Sequence, residues 1–212
     1  MTENIEVFKQ NSIRISTGVG AVYIDPFQMD AEPRDAAFIL ITHDHYDHFS
    51  PDDIAKVAGK DTTLVVPEKM MRKVGEVEHL VRRIETVSPG MKTTIDGLEL
   101  ETVPAYNLLK PFHPKSAEWV GYILFLEGKR IYIAGDTDAT KEAKAVSCDV
   151  ALVPIGGTFT MDAGKAAALI NEIHPAVAIP VHYGGGVGNP KDGELFASKV
   201  KSDIKVEFKI HF

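Results

Sequence analysis

The segment Thr42-His43-Asp44-His45-Tyr46-Asp47-His48 sets three imidazoles and two carboxylates within six residues, directly after the apolar run Phe38-Ile39-Leu40-Ile41. Imidazole nitrogen and carboxylate oxygen are the ligands that zinc, iron and manganese share, so the chemistry these residues suit is transition-metal binding. Successive side chains of an extended strand alternate in direction. His43, His45 and Asp47 can therefore converge at a strand end, and the following turn can bring in His48. That gives two ligand pairs, enough for two metals. Three of the chain's eight histidines fall in this one segment, a concentration that a merely polar loop does not account for.

The elements that must position these groups are short strands and capped helices. Residues 5–15 read as a hairpin turned at Asn11-Ser12, and 21–25 as a buried strand stopped by Pro26. Ser50-Pro51-Asp52-Asp53 is a helix entrance, with a hydroxyl to accept a free amide, proline at the first helical position and acids at the positive end of the dipole. Gly59 should end that helix. A strand over 64–66 and a short helix over 67–73 closed by Gly75 follow, and strands resume from Val81. Asp96-Gly97 is a hairpin turn between 93–95 and 98–103.

Beyond Pro104 a second, similar half begins. Strands at 122–126 and 130–134 flank Glu127-Gly128-Lys129, and Gly135-Asp136-Thr137-Asp138 stands at the second strand's end. A helix from about Lys141 leads to a strand at 150–154, then to an alanine-rich helix over 162–173 that stops at His174-Pro175. A buried strand at 176–180 runs into Val181-His182-Tyr183. A glycine-rich loop, a helix from about Asp192 and a strand over 205–210 complete the chain. The order is hairpins, then strand–helix alternation, twice over. It predicts a single domain over residues 1–212 with pseudo-symmetric halves of about 1–104 and 105–212, built as two mixed sheets with helices outside.

The 212 residues are 44% hydrophobic and 25% charged, enough for a real core. No basic leader with an apolar segment and no run of 18 apolar residues is present, so a cytoplasmic protein without a membrane partner is expected. The single Cys148 excludes an intramolecular disulfide. A formal net charge of −7 without a basic cluster argues against nucleic acid as partner and leaves a small molecule as the expected substrate. Oligomeric state is not readable.

His-Asp-His-Tyr-Asp-His after one strand, Gly-Asp-Thr after a second and Pro-Val-His after a third resemble the metallo-β-lactamase superfamily over essentially the whole chain. The resemblance implies an α/β, four-layer αβ/βα sandwich of two mixed sheets with a mono- or binuclear metal site. It implies His43 and His45 on the first metal, Asp47 and His48 on the second, Asp136 bridging, and His182 completing the second site. Among superfamily members, the short layout is most similar to small metal-dependent hydrolases and the L-ascorbate-6-phosphate lactonase branch.

In many members of that family a third histidine on the first metal lies just past a Pro-Ala-like strand end. Here the chain reads Pro104-Ala105-Tyr106-Asn107, with asparagine in the histidine's place. Six residues on, Lys110-Pro111-Phe112-His113-Pro114-Lys115 offers a histidine in a proline-held loop, and His113 is the expected ligand, with Asn107 as the alternative.

One or two divalent metals, zinc first and manganese, iron or nickel as alternatives, would make the protein a hydrolase. A metal-bound hydroxide would attack a small ester, lactone or phosphoester, with Asp47 orienting the water and passing a proton to the leaving oxygen. A non-catalytic metal-binding or ligand-sensing protein is the alternative reading, and a nuclease the third. Lys110 and Lys115 beside His113 suggest an anionic substrate. Ser50 reads as a helix cap, Thr137 and Asp138 as partners of the ligands or caps of the next helix. The glycines after His182 could form an oxyanion cradle or a plain connector.

Overall fold

Residues 2–212 are described by the computed structural model, and they fall into two compact units that part between Ser88 and Pro89. Each unit has its own sheet, and both sheets are built the same way.

In the first unit the strands β1 (Ile5–Val7), β2 (Ile13–Thr17), β3 (Gly20–Ile24), β4 (Ala36–Leu40), β5 (Ala58–Pro67) and β6 (Arg83–Val87) lie side by side in sequence order. Pairing is antiparallel from β1 to β3 and parallel from β3 to β6. Between β4 and β5 runs helix α1 (Pro51–Val57), begun by Ser50, whose hydroxyl accepts from the Asp53 amide as expected of a cap. Ile54 and Val57 of α1 join Ile39, Ile41, Leu64 and Val66 in a buried apolar cluster, so the helix is held by the face it lays on the strands. A short helix α2 (Met71–Val74) precedes β6.

In the second unit the order is β13-β12-β11-β10-β9-β8-β7, with β7 (Lys92–Ile95), β8 (Leu98–Pro104), β9 (Val120–Leu126), β10 (Lys129–Ile133), β11 (Val150–Pro154), β12 (Val177–Val181) and β13 (Lys205–Val206). The hairpin strands β7 to β10 are antiparallel and β10 to β13 parallel. Two-residue turns at Asp96-Gly97 and Glu127-Gly128 have positive φ at both positions, the geometry that matches strand twist and explains the choice of Asp-Gly and Glu-Gly. β11 and β12 are buried along their whole length, as parallel central strands are. The helices are α3 (Lys141–Lys144), α4 (Ala163–Ile173) and α5 (Asp192–Lys199).

Several element limits differ from the sequence expectation. The hairpin of β7 and β8 pairs with β9, so it belongs to the second sheet, and the units part at Ser88/Pro89 rather than near residue 104. α1 stops at Val57 and β5 begins at once, because Gly59 is part of an irregular stretch of β5 rather than a helix stop: Ala58 pairs with Ala36 but Thr63 with Phe38. The last strand is only two residues long. Among the described residues no helix is long and apolar enough to cross a membrane.

Candidate metal-binding residues

Parallel strands bring their C-terminal ends to one edge, and the candidate ligands all leave from such ends. In the first unit Asp25 directly follows β3 and the segment 42–48 follows β4. Because β3 and β4 are parallel, the two meet. Asp25 is fully buried, and its carboxylate accepts from the Thr42 amide at 2.8 Å, the Thr42 hydroxyl at 2.6 Å and Asn11 Nδ2 at 2.8 Å. It also lies 2.7 Å from His48 Nδ1. A carboxylate only accepts, so Nδ1 of neutral His48 carries the hydrogen and Nε2 presents the lone pair a metal needs. The Thr42 hydroxyl, having given its proton to Asp25, lies 3.0 Å from His43 Nδ1 and fixes that ring in the same sense. His43 Nε2 in turn sits 3.0 Å from His45 Nδ1. Asp47, with 15% of its side chain exposed, places Oδ2 3.8 Å from His48 Nε2.

In the second unit β8 and β10 run in the same direction, each antiparallel to β9, and β12 is parallel to them. The loop after β8, the turn after β10 and the residue after β12 thus share one edge. They contribute His113, Asp136 and His182, all buried. Asp136 Oδ2 is 3.3 Å from His113 Nε2, and Asp136 Oδ1 is 3.4 Å from His182 Nε2. Two ligands at about 2.0–2.1 Å on one tetrahedral zinc lie roughly 3.3 Å apart. The carboxylate therefore offers one oxygen toward each histidine at the spacing of paired ligands.

Asp25, His113 and His182 also share a backbone feature: φ of 45°, 58° and 55° respectively. Left-handed conformation costs a non-glycine residue about 1 kcal/mol or more and persists where the surroundings over-determine it. At His182 one such constraint is the close approach of its carbonyl to Gly156 at the exit of β11, where any Cβ would collide with that oxygen.

Asn107, the alternative to His113, bonds the loop that carries that histidine. Its Nδ2 donates to the carbonyls of Phe112 at 2.9 Å and Phe159 at 2.8 Å, and its backbone amide to His113 O at 2.8 Å. It ties the loop that carries His113. His113→Ala is accordingly expected to weaken metal binding at least ~10-fold and Asn107→Ala less, the latter lowering stability by about 1–2 kcal/mol through two orphaned carbonyls. Competition against a chelator and denaturant unfolding of the two variants measure the two effects.

Residues 17–183 match the family described as the beta-lactamase superfamily domain. The chain is 34% identical to a UPF0173 metal-dependent hydrolase of Pyrococcus abyssi, over 89% of this chain and 88% of that one. The chain belongs to the metallo-β-lactamase superfamily. Within it, the relatives are the UPF0173 metal-dependent hydrolases, a second from Staphylococcus haemolyticus being 29% identical over 82% of each chain. A crystal structure of a protein from Parabacteroides distasonis superposes with a TM-score of 0.82 at 30% identity, covering 98% of this chain and 93% of that one. A metallo hydrolase of Ignicoccus hospitalis has the same fold, with a TM-score of 0.75 at 22% identity over 96% and 93% of the two chains. This metallo-β-lactamase-superfamily member is a metal-dependent hydrolase. Its metal-capable groups among the described residues draw on His43, His45, Asp47 and His48 in the first unit and His113, Asp136 and His182 in the second.

Other expectations change. Lys110 does not wait for a substrate: its ammonium donates to Asp138 Oδ1 at 2.6 Å and to Thr160 O at 2.5 Å. Lys115 bonds Glu142 at 2.8 Å and lies over the Tyr106 ring. Burial works against the Glu142 charge, but Lys115 and the Tyr106 hydroxyl outweigh it and hold the carboxyl down at about 2. Both lysines are thus neutralised within the unit, and the anionic-substrate expectation built on them loses its support. Lys110→Ala should lower unfolding free energy by about 1–2 kcal/mol, read by denaturant titration, because it removes the donor from Asp138 Oδ1 and from the Thr160 carbonyl. Asp138 accepts from Lys110 and the Leu108 amide, and Thr137 bonds Tyr106 O, so neither caps the next helix. Thr140 does. The Gly184 amide donates to Val187 O, which closes a tight turn rather than leaving that amide for an oxyanion.

Asp25, which braces Thr42 and His48, is a residue that sequence reading did not single out. It read only as the last residue of a buried strand stopped by Pro26. The available signal was its place at the end of a buried strand parallel to the one that delivers the histidines.

Proposed function

We propose that the two ligand sets serve one binuclear centre, with His43, His45 and His113 on the first metal, Asp47, His48 and His182 on the second, and Asp136 bridging, and that the centre hydrolyses a small ester, lactone or phosphoester. The observation that carries this reading is the Asp136 carboxylate, whose two oxygens face two different histidine nitrogens at 3.3 and 3.4 Å. Neither set suffices alone for two metals, and the donors, all imidazole or carboxylate, fit zinc, with manganese, iron and nickel also suited. When bound, such ions polarise a carbonyl or phosphoryl oxygen and bring a water's pKa to about 7.

The chain's own residues do the rest. Thr42 and Asp25 hold the His43 and His48 rings in the tautomer that presents Nε2. Asp136, buried, turns one oxygen to His113 and the other to His182. Asp47 is the carboxylate of the first set with solvent access, which suits it to orient the attacking water and to pass its proton to the leaving oxygen. A small molecule in the cytoplasm is the substrate this reading favours. Protein stripped with chelator and reloaded with zinc or manganese should regain turnover of p-nitrophenyl acetate or bis-p-nitrophenyl phosphate. Equal rates in stripped and reloaded protein would contradict the reading.

A further inference from the structure

The loop that carries His113 is pinned from below and apolar above. Asn107 holds the Phe112 carbonyl, Asp138 takes the Leu108 amide, and Lys110 is spent on Asp138 and Thr160. These bonds occupy the Leu108 amide, the Lys110 ammonium and the Phe112 carbonyl, while the loop's hydrophobic side chains stay exposed. Leu108 is 57% exposed, Leu109 98% and Phe112 44%. Phe112 is set in place by an edge-to-face contact with Phe159, ring centroids 4.9 Å apart. Isolated exposed apolar residues need no explanation, but three within five positions, on a loop fixed by hydrogen bonds, form a patch of the kind that carries function.

The size of the patch limits what can cover it. Three side chains expose at most a few hundred Å², short of the ~800 Å² per partner that a stable protein interface buries. A small molecule's apolar group is of the right scale. The patch is covalently continuous with His113, the residue assigned to the first metal, and it bears no unpaired cation.

We propose that the substrate carries an uncharged apolar group, an alkyl or aryl chain, that rests on Leu108, Leu109 and Phe112 while its reacting bond is at the metal held by His113. This rests on the metal-hydrolase reading above and adds the substrate class to it.

Alkyl hydroxamates of two, four and eight carbons share one chelating head group and differ only in apolar length. Their binding to the metal-loaded protein can be followed through the single Trp119, whose ring packs edge-on against His113 at 5.3 Å between centroids. The eight-carbon compound should bind at least ~10-fold more tightly than the two-carbon one, since each buried methylene adds up to ~4-fold. In Leu108→Ser/Leu109→Ser, and separately in Phe112→Ser, that advantage should fall to ~3-fold or less, with affinity for the two-carbon compound and metal content unchanged. Both leucines are exposed, so the double variant is expected to fold normally. No dependence on chain length, or the full dependence retained in the variants, overturns the proposal. So does binding of none of the three to protein that holds its metals, or a wild-type dimer that the double variant dissociates. Protein that takes up no metal, measured on the same samples, overturns the metal reading itself and this proposal with it.

Discussion

Asp136→Ala is expected to empty both metal sites and to lower turnover by at least ~10³-fold. Its carboxylate is buried and presents Oδ2 to His113 and Oδ1 to His182, so in the proposed centre it is the one ligand common to the two metals. His182→Ala removes a ligand from the second metal alone and should leave the first in place. Metal stoichiometry by mass spectrometry on the two purified variants separates the cases, with near zero expected for Asp136→Ala and near one per chain for His182→Ala. Full occupancy in Asp136→Ala would sink the bridging role. Equal loss in both variants would mean that the two sites do not fill independently.

Asp25→Asn should cost more than its distance from any reacting atom suggests. The carboxylate is wholly buried and serves four donors, the Thr42 amide and hydroxyl, Asn11 Nδ2 and His48 Nδ1. An amide of the same size turns an NH₂ toward some of them and removes the charge that favours the Nδ1–H tautomer of His48. Outer partners of this kind typically contribute 10–100-fold to metal affinity, and a buried donor left without its acceptor costs about 1–3 kcal/mol of stability. Affinity at the site that uses His48 should fall by that 10–100-fold, and by less at the site that uses His113, which Asp25 reaches only through Thr42 and His43. Chelator titration read site by site, together with a thermal unfolding scan, measures both. Unchanged affinity with lowered stability would make Asp25 a fold residue only.

The metal-ligand candidates were legible because their chemistry is concentrated: histidines and aspartates crowd into 43–48 beside an apolar strand, and Asp136 and His182 stand at the ends of two more. The alternation of hairpins with strand–helix units was legible for a related reason, since Asp96-Gly97, the Ser50 cap and the alanine-rich α4 are local signals. What depends on partners distant in sequence was not. Lys110 and Lys115 read as free cations because Asp138 and Glu142, which neutralise them, lie 28 and 27 positions away. Asp25 read only as the last residue of a buried strand, because its contacts with Thr42 and His48 exist only once β3 lies parallel to β4. The β7–β8 hairpin carries no mark of the sheet it joins. That is decided by its pairing with β9 across the loop that holds His113.

The most direct test of the binuclear assignment is an anomalous-scattering crystal structure of protein purified without added metal and then loaded with zinc. The assignment predicts two anomalous peaks on opposite sides of the Asp136 carboxylate, one within about 2.0–2.2 Å of His43, His45 and His113 and the other within the same distance of Asp47, His48 and His182. A single peak that leaves out Asp136, or a first peak without His113, would contradict it.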